Sequence, residues 1–414
     1  MRSLAIKLAT IAIALLIGFG LIEVALRTFP SLISLNQLQY FEPSLRAEVA
    51  TRLGLPTFAS SVWITSADRT DHGPPFAHAA PNETRLSFMD KADIALGAPA
   101  QYAMDANGMC NPPEKAARSR ADILVAGDSF TMCQGAIPQQ GAVQTIEEET
   151  GLLTYNVGIG GTGPYEYLEM LKRFAHFKPR ITVMNIYEGN DLRDIIKYKE
   201  FIASGGKSEN DRKDPPPAWS YAAQFFKSSE VMVEQFVKQN LTATQDYDFR
   251  YSAPVGDHIL AMNISNKDQG EVERAIQLRD GKISTDLFAE PLKNYVDWAK
   301  ANGIIPVVTY IPSMYTAYQS TVTFEDPGIG KTVQAFSAAQ RKWLAEHAQS
   351  IGYDFLDLTP ILQETAAKGV VTHFPSNVHL TAKGEKIVGI RTAEFIKKLG
   401  LVPALRAARE SHWN

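Results

Sequence analysis

The apolar pattern opens with a run that has no charge between Leu8 and Ile22, and only Glu23 interrupts its continuation to Leu26. At ~1.5 Å of helical rise per residue, such a run approaches the ~30 Å of a bilayer core. Arg2 and Lys7 precede it, so the positive-inside rule holds that end in the cytoplasm. No A-x-A cleavage site follows the run, so residues 1–28 are expected to form an uncleaved transmembrane anchor. The rest of the chain then lies outside the cytoplasm, on the periplasmic side of the inner membrane if the host is Gram-negative.

Residues 29–120 show weak periodicity and turn-rich stretches such as GPPFAHAAPNE and DANGMCNPPEKAARSR; they read as a stalk with irregular packing segments. From residue 121 short apolar, β-branched runs alternate with amphipathic ones. The predicted strands are 122–127, 152–157, 181–187, 304–311 and 353–358, with predicted helices between them and a last one after the fifth strand. This alternation describes a parallel sheet covered on both faces, a doubly wound α/β domain over 121–400. A tail, 401–414, follows. An insertion at about 195–285 interrupts the pattern between the third and fourth strands, opening polar and proline-rich and then turning helical. Its aromatic residues Trp219, Tyr221, Phe225 and Phe226 either overhang a site or pack the insertion's own small core.

Composition narrows the class. A hydrophobic content of 45% and a charged content of 21% fit a folded chain with a sizeable core. The net charge of -4 and the lack of a dense basic run argue against nucleic acid as a partner. The two cysteines, Cys110 and Cys133, are expected to pair as a disulfide in an exported domain. No Cys/His cluster suggests a metal, and no cofactor is expected.

In an open α/β sheet, ligands bind beyond the carboxyl ends of the strands. The first predicted strand ends in Gly127-Asp128-Ser129, where a serine at a strand-to-helix turn presents its hydroxyl; a plain helix cap is the alternative. The second ends in Gly158-Ile159-Gly160-Gly161-Thr162-Gly163. This satisfies G-x-G-x-x-G, but a dinucleotide fingerprint belongs after the first strand of its sheet. Glu188, the nearest ribose-binding candidate, is also further from Gly163 than the usual ~20 residues. Bare backbone there can equally aim an N–H at a developing oxyanion. The third strand ends in Glu188-Gly189-Asn190-Asp191, and His379 follows the fifth.

The succession of these signals resembles the SGNH (GDSL-like) hydrolase superfamily across roughly 121–400, the insertion excepted. The resemblance implies a flavodoxin-like three-layer α/β/α sandwich with five parallel strands. It also implies Ser129 as nucleophile, His379 as base, and an oxyanion hole built from the Ser129 N–H, the Gly161 N–H and the Asn190 amide. Relatives act on esters as esterases, lipases or acyltransferases, and an anchored, exported member is similar to proteins that modify acyl groups on envelope glycans. An ester-bearing envelope polysaccharide or lipid is therefore the expected partner. One departure stands out. Where relatives place an acid two or three residues before the histidine, this chain has Asn377 and Ser376. Asn377 is expected to orient His379 in place of the acid, with Asp354 and Asp357 as more distant candidates. The missing acid also supports a rival expectation, a non-catalytic glycan-binding or scaffold protein that keeps the fold.

Overall fold

The computed structural model describes residues 2–38, 41–53, 62–64, 68–86, 91–99, 101–205, 219–240, 248–265, 270–324, 326–375, 378–400 and 402. The chain divides into two compact units.

The smaller unit holds residues 1–60, 83–86 and 209–244. Its first helix runs Arg2–Thr28, and the stretch Ala9–Thr28, with mean hydropathy 2.4, is long and apolar enough to cross a membrane. Most of its apolar side chains meet no protein: Leu15 is 69% and Leu16 72% exposed. Part of the insertion, the helix Tyr221–Asn240, packs in this same unit. Tyr221 and Phe225 join Leu26, Ile33, Leu38, Phe41, Leu45 and Val49 in its small core. Glu23, the one charge within the apolar run, faces the start of that helix. It accepts hydrogen bonds from the backbone N–H groups of Tyr221 (3.2 Å) and Ala222 (2.7 Å) and from Ser220 Oγ (3.0 Å). These are the orphan donors that a helix N-terminus must satisfy.

The larger unit is the α/β domain. Five parallel strands, β1 (Ile123–Ala126), β2 (Thr154–Asn156), β3 (Ile181–Tyr187), β4 (Ile305–Ile311) and β5 (Asp354–Asp357), form one sheet. Its order is β2-β1-β3-β4-β5, the flavodoxin-like arrangement, with a switch point between β1 and β3. All five lie within the strands expected from the apolar runs. Alternate residues supply the two faces. Ile123, Val125, Ile181, Val183 and Val307 meet Val143, Ile146 and Ile396 of helices α1 (Ala142–Thr150) and α7 (Ala382–Lys398). Leu124, Ala126, Met184, Ile186, Val308 and Tyr310 meet the opposite layer. That layer is built by α2 (Pro164–Arg173), α4 (Ala289–Ala301) and α5 (Pro327–His347). Helices α3 (Asp191–Ala203) and α6 (Thr359–Ala367) follow β3 and β5.

The insertion is not purely helical. Asp248–Val255 and His258–Ser265 pair in antiparallel register, and Thr323–Phe324 adds a third strand. The hairpin turns at Gly256-Asp257, with Gly256 at φ +58°, the conformation that a type II′ turn assigns to glycine at its first central position. This hairpin belongs to the larger unit.

Candidate active site

The site is assembled from turns at the carboxyl end of the sheet. Ser129 was expected on a strand-to-helix elbow, but no helix follows it directly. Residues 129–133 are successive turns, and α1 begins only at Ala142. The turn is held by its own aspartate. Asp128 Oδ1 accepts the Phe130 N–H at 2.8 Å, and its carbonyl accepts those of Thr131 (3.1 Å) and Met132 (2.9 Å). An Asx turn of this kind needs a short acceptor side chain. Gly127 must be glycine here, because an added Cβ would lie 2.1 Å from Thr131 Oγ1.

Thr131 ties the turn to the strands. Its carbonyl accepts Asn156 Nδ2 from β2 (2.7 Å), and its hydroxyl oxygen accepts Asn185 Nδ2 from β3 (2.9 Å). Asn185 Oδ1 in turn accepts the Thr309 hydroxyl of β4 at 2.6 Å. Asn156 Oδ1 also accepts the Gly158 N–H, so the residue that opens the glycine loop shapes it. A disulfide joins Cys110 to Cys133, with Cα atoms 5.9 Å apart. It anchors the far end of the Ser129 turn to the segment before β1.

His379 reaches this turn from the loop before α7. Its Nε2 lies 2.7 Å from Ser129 Oγ, the hydrogen bond of a nucleophile–base pair. The imidazole stacks on Phe130 with centroids 4.7 Å apart, and Phe130 stacks on Tyr187 at 3.6 Å. Tyr318, fully buried, organises the loop. Its hydroxyl oxygen accepts the N–H groups of Thr372 (3.0 Å) and His373 (2.7 Å) and its O–H donates to the His373 carbonyl (3.0 Å). The His379 carbonyl accepts the Phe374 N–H at 2.8 Å. Val378 sits at φ +63°, a strained conformation for a β-branched residue, directly before the histidine. Gly135 closes the arrangement, since a Cβ there would fall 1.9 Å from the Leu380 carbonyl oxygen. Buried His373 is a separate group, and burial holds its imidazole down at about 3.

The other expected residues are placed as follows. In the glycine loop, a Cβ on Gly160 would sit 3.4 Å from Ser129 Cβ, whereas one on Gly161 (φ +77°) would meet nothing within 4 Å. Gly161 is therefore the open, left-handed position of the loop. Asn190 caps the start of α3 and its amide donates to Asp194 Oδ2 at 2.9 Å. Glu188, the ribose candidate, is fully engaged elsewhere, accepting from Tyr310, Ser313 and Thr316. Asp357 is committed to the Thr359 N–H at the start of α6 and to Arg341. Asn377 and Ser376 lie outside the described residues. Thr131, Asn185 and Tyr318 escape the sequence reading. Polar residues spaced along otherwise apolar strands were the only signal for Asn185.

Ser129 and the glycine loop follow β1 and β2 of a five-stranded flavodoxin-like sheet, and His379 reaches Ser129 from the loop between α6 and α7. No family profile matches the chain, and no curated protein matches it. Solved structures similar to this chain include a lipolytic protein of the G-D-S-L family from Desulfitobacterium hafniense, at 14% identity and TM-score 0.35, over 66% of this chain and 98% of the other. A GDSL-like lipase from Bacteroides thetaiotaomicron is similar at 14% identity and TM-score 0.34, over 69% and 95%. An acetyl-xylooligosaccharide esterase from Geobacillus is similar at 12% and 0.34, over 67% and 94%. At these scores the likenesses carry no argument about activity, and the chemistry rests on the chain's own residues.

Proposed function

We propose that this chain is a membrane-anchored serine esterase or O-acyltransferase that works through an acyl-enzyme. The observation that carries the reading is the 2.7 Å contact between His379 Nε2 and Ser129 Oγ. In this reading Ser129 Oγ attacks an ester carbonyl while His379 Nε2 takes its proton. The Ser129 N–H, the Gly161 N–H and the Asn190 amide receive the negative charge that develops on the carbonyl oxygen. The protonated imidazole then gives its proton to the departing alkoxide. Water or a sugar hydroxyl, deprotonated by the same histidine, releases the acyl group. In place of the usual acid this reading has Asn377 as the orienter of His379, a residue that brings no full charge, so turnover is modest.

The apolar helix Ala9–Thr28 and the basic residues before it support anchoring with the α/β domain on the extracytoplasmic side. An exported, anchored esterase meets the acylated polysaccharides and lipids of the envelope, which makes them the substrate class. The test is labelling of the full chain by a fluorophosphonate probe together with hydrolysis of p-nitrophenyl esters. Ser129→Ala is expected to abolish both, and His379→Ala to reduce hydrolysis by about 10²–10⁴-fold. An unlabelled wild-type protein would support a non-catalytic binding role. Acyl transfer to an added oligosaccharide, read by mass spectrometry, separates transferase from hydrolase.

A further inference from the structure

The helix Tyr221–Asn240 has two unlike faces. Tyr221 and Phe225 pack into the core of the smaller unit, with buried Gln224 and Ser228 on the same side. Trp219 and Phe226 do not: they are 70% and 47% exposed, and Val233 is 61% exposed. Phe226 and Val233 are seven residues apart, almost two full turns, and so share a face. Trp219 precedes Phe226 by the same interval, in the turn that leads into the helix. The outward face therefore carries a stripe of large apolar side chains. Among the described residues of the larger unit, only Ile94 and Ile202 are large, apolar and exposed; the others of this kind lie in the smaller unit.

The neighbour of the stripe says what covers it. Phe226 stacks on Phe19 of the apolar run, with ring centroids 6.2 Å apart. Phe19 stands one turn before Glu23, ~6 Å further along the anchor. The charges of the anchor's last turns gather at its end. Arg27 pairs with Glu23 at 2.7 Å, lies over the Tyr221 ring at 4.7 Å and donates to the Trp219 carbonyl. A cation and a tryptophan at the end of an apolar helix mark the headgroup level of a bilayer. The helix Tyr221–Asn240 starts at that level, and its first exposed ring continues the apolar surface of the anchor.

We infer that Trp219, Phe226 and Val233 insert into the lipid bilayer on the side where the anchor ends, so that the helix Tyr221–Asn240 lies in the membrane interface as a second contact. The inference rests on the anchoring reading and is independent of the esterase one. An interfacial helix sinks its apolar face ~5–10 Å into the boundary between headgroups and acyl chains, which matches a ring one turn below Glu23. Lys227 and Glu230 flank the stripe and pair with each other at 2.8 Å, so the stripe brings no net charge into that layer. Glu23 has a part in this as well. By accepting the N–H groups of Tyr221 and Ala222, it fixes the start of the helix to the anchor at the level where the chain leaves the bilayer.

The test is depth-dependent fluorescence quenching in the full-length protein, reconstituted in vesicles of phosphatidylcholine and phosphatidylglycerol. The two native cysteines are joined to each other, so a single introduced cysteine takes an environment-sensitive fluorophore. Phe226→Cys and Val233→Cys place it on the stripe and Leu15→Cys places it within the anchor; all three side chains are exposed, so the core is left intact. Labels at positions 226 and 233 are expected to show blue-shifted emission, to resist iodide, and to lose most emission to lipids spin-labelled near the headgroup. The label at position 15 is expected to lose most to lipids spin-labelled near the chain end. Iodide quenching at 226 and 233, with lipid quenching at 15, would overturn the inference and leave the anchor standing. Labels at 226 and 233 shielded from iodide yet untouched by spin-labelled lipid would assign this face to a protein partner and overturn it too. A label at 15 that no lipid quenches would overturn the anchor and the inference together.

Discussion

Thr131→Val keeps the shape of the side chain and removes the acceptor for Asn185 Nδ2. The amide, buried between β1 and β4, is then left short of a partner, at a cost of about 1–3 kcal/mol. Urea denaturation should show that loss, and kcat should fall with little change in KM as the Ser129 turn loosens. Tyr318→Phe acts on the other half of the pair. It strands the N–H groups of Thr372 and His373, so a destabilisation of similar size is expected. Its signature is a weaker rate of fluorophosphonate labelling, because His379 is no longer held against the serine. These residues also mark where sequence reading stops. Ser129 stands out because it follows a strand, where this fold places chemistry, and His379 because it stands just before the last helix; that the helix Thr359–Ala367 separates it from β5 was not foreseen. Thr131, Asn185 and Tyr318 do not stand out, because their roles depend on which strands become neighbours. That order is a tertiary fact, invisible in local periodicity.

Strands β1, β3 and β4 were legible because they are buried on both faces and so read as continuous apolar runs, while the edge strand β5 is only partly buried. The hairpin 248–265 was not legible, since its strands carry a mixed polar pattern and its glycine turn is short. The fate of Glu23 was also hidden. It looks like a blemish in a membrane-spanning run, yet it caps the helix Tyr221–Asn240 from far away in sequence. Glu23→Ala is expected to cost about 1 kcal/mol in that helix and to speed amide hydrogen exchange over its first turns. Exchange in α1–α7 should stay unchanged. The disulfide is a second long-distance tie. Removing it by paired Cys110→Ser and Cys133→Ser changes is expected to cost ~3 kcal/mol in the chain-entropy account, measured by denaturant titration of the non-reduced protein.

At the scale of the whole molecule, buried acids set the response to pH. Burial pushes Asp128 and Glu166 up to about 7 and Glu385 up to about 8, from ordinary values of 3.8, 4.5 and 4.5. Between those limits the folded chain holds protons that the unfolded chain has released, so stability falls as pH rises from about 4 to about 8 and then levels. Glu147 works in the opposite sense. Although burial opposes it, ion pairs with Arg118 and Lys115 hold it down at about 2, so its contribution is present above 4.5 and fades toward pH 2. Melting temperature is therefore expected to peak near pH 4–5, and Glu385→Gln should flatten the alkaline slope. A peak near pH 8 would contradict the assignment of these protons. The pairing at the site has a consequence in time as well. Ser129 and His379 are 250 residues apart in the chain. A ribosome adding ~5–20 residues per second delivers the serine roughly 10–50 s before the histidine. Throughout that interval the proposed nucleophile lacks its proposed base, so the growing polypeptide is expected to stay chemically silent until the last loop docks.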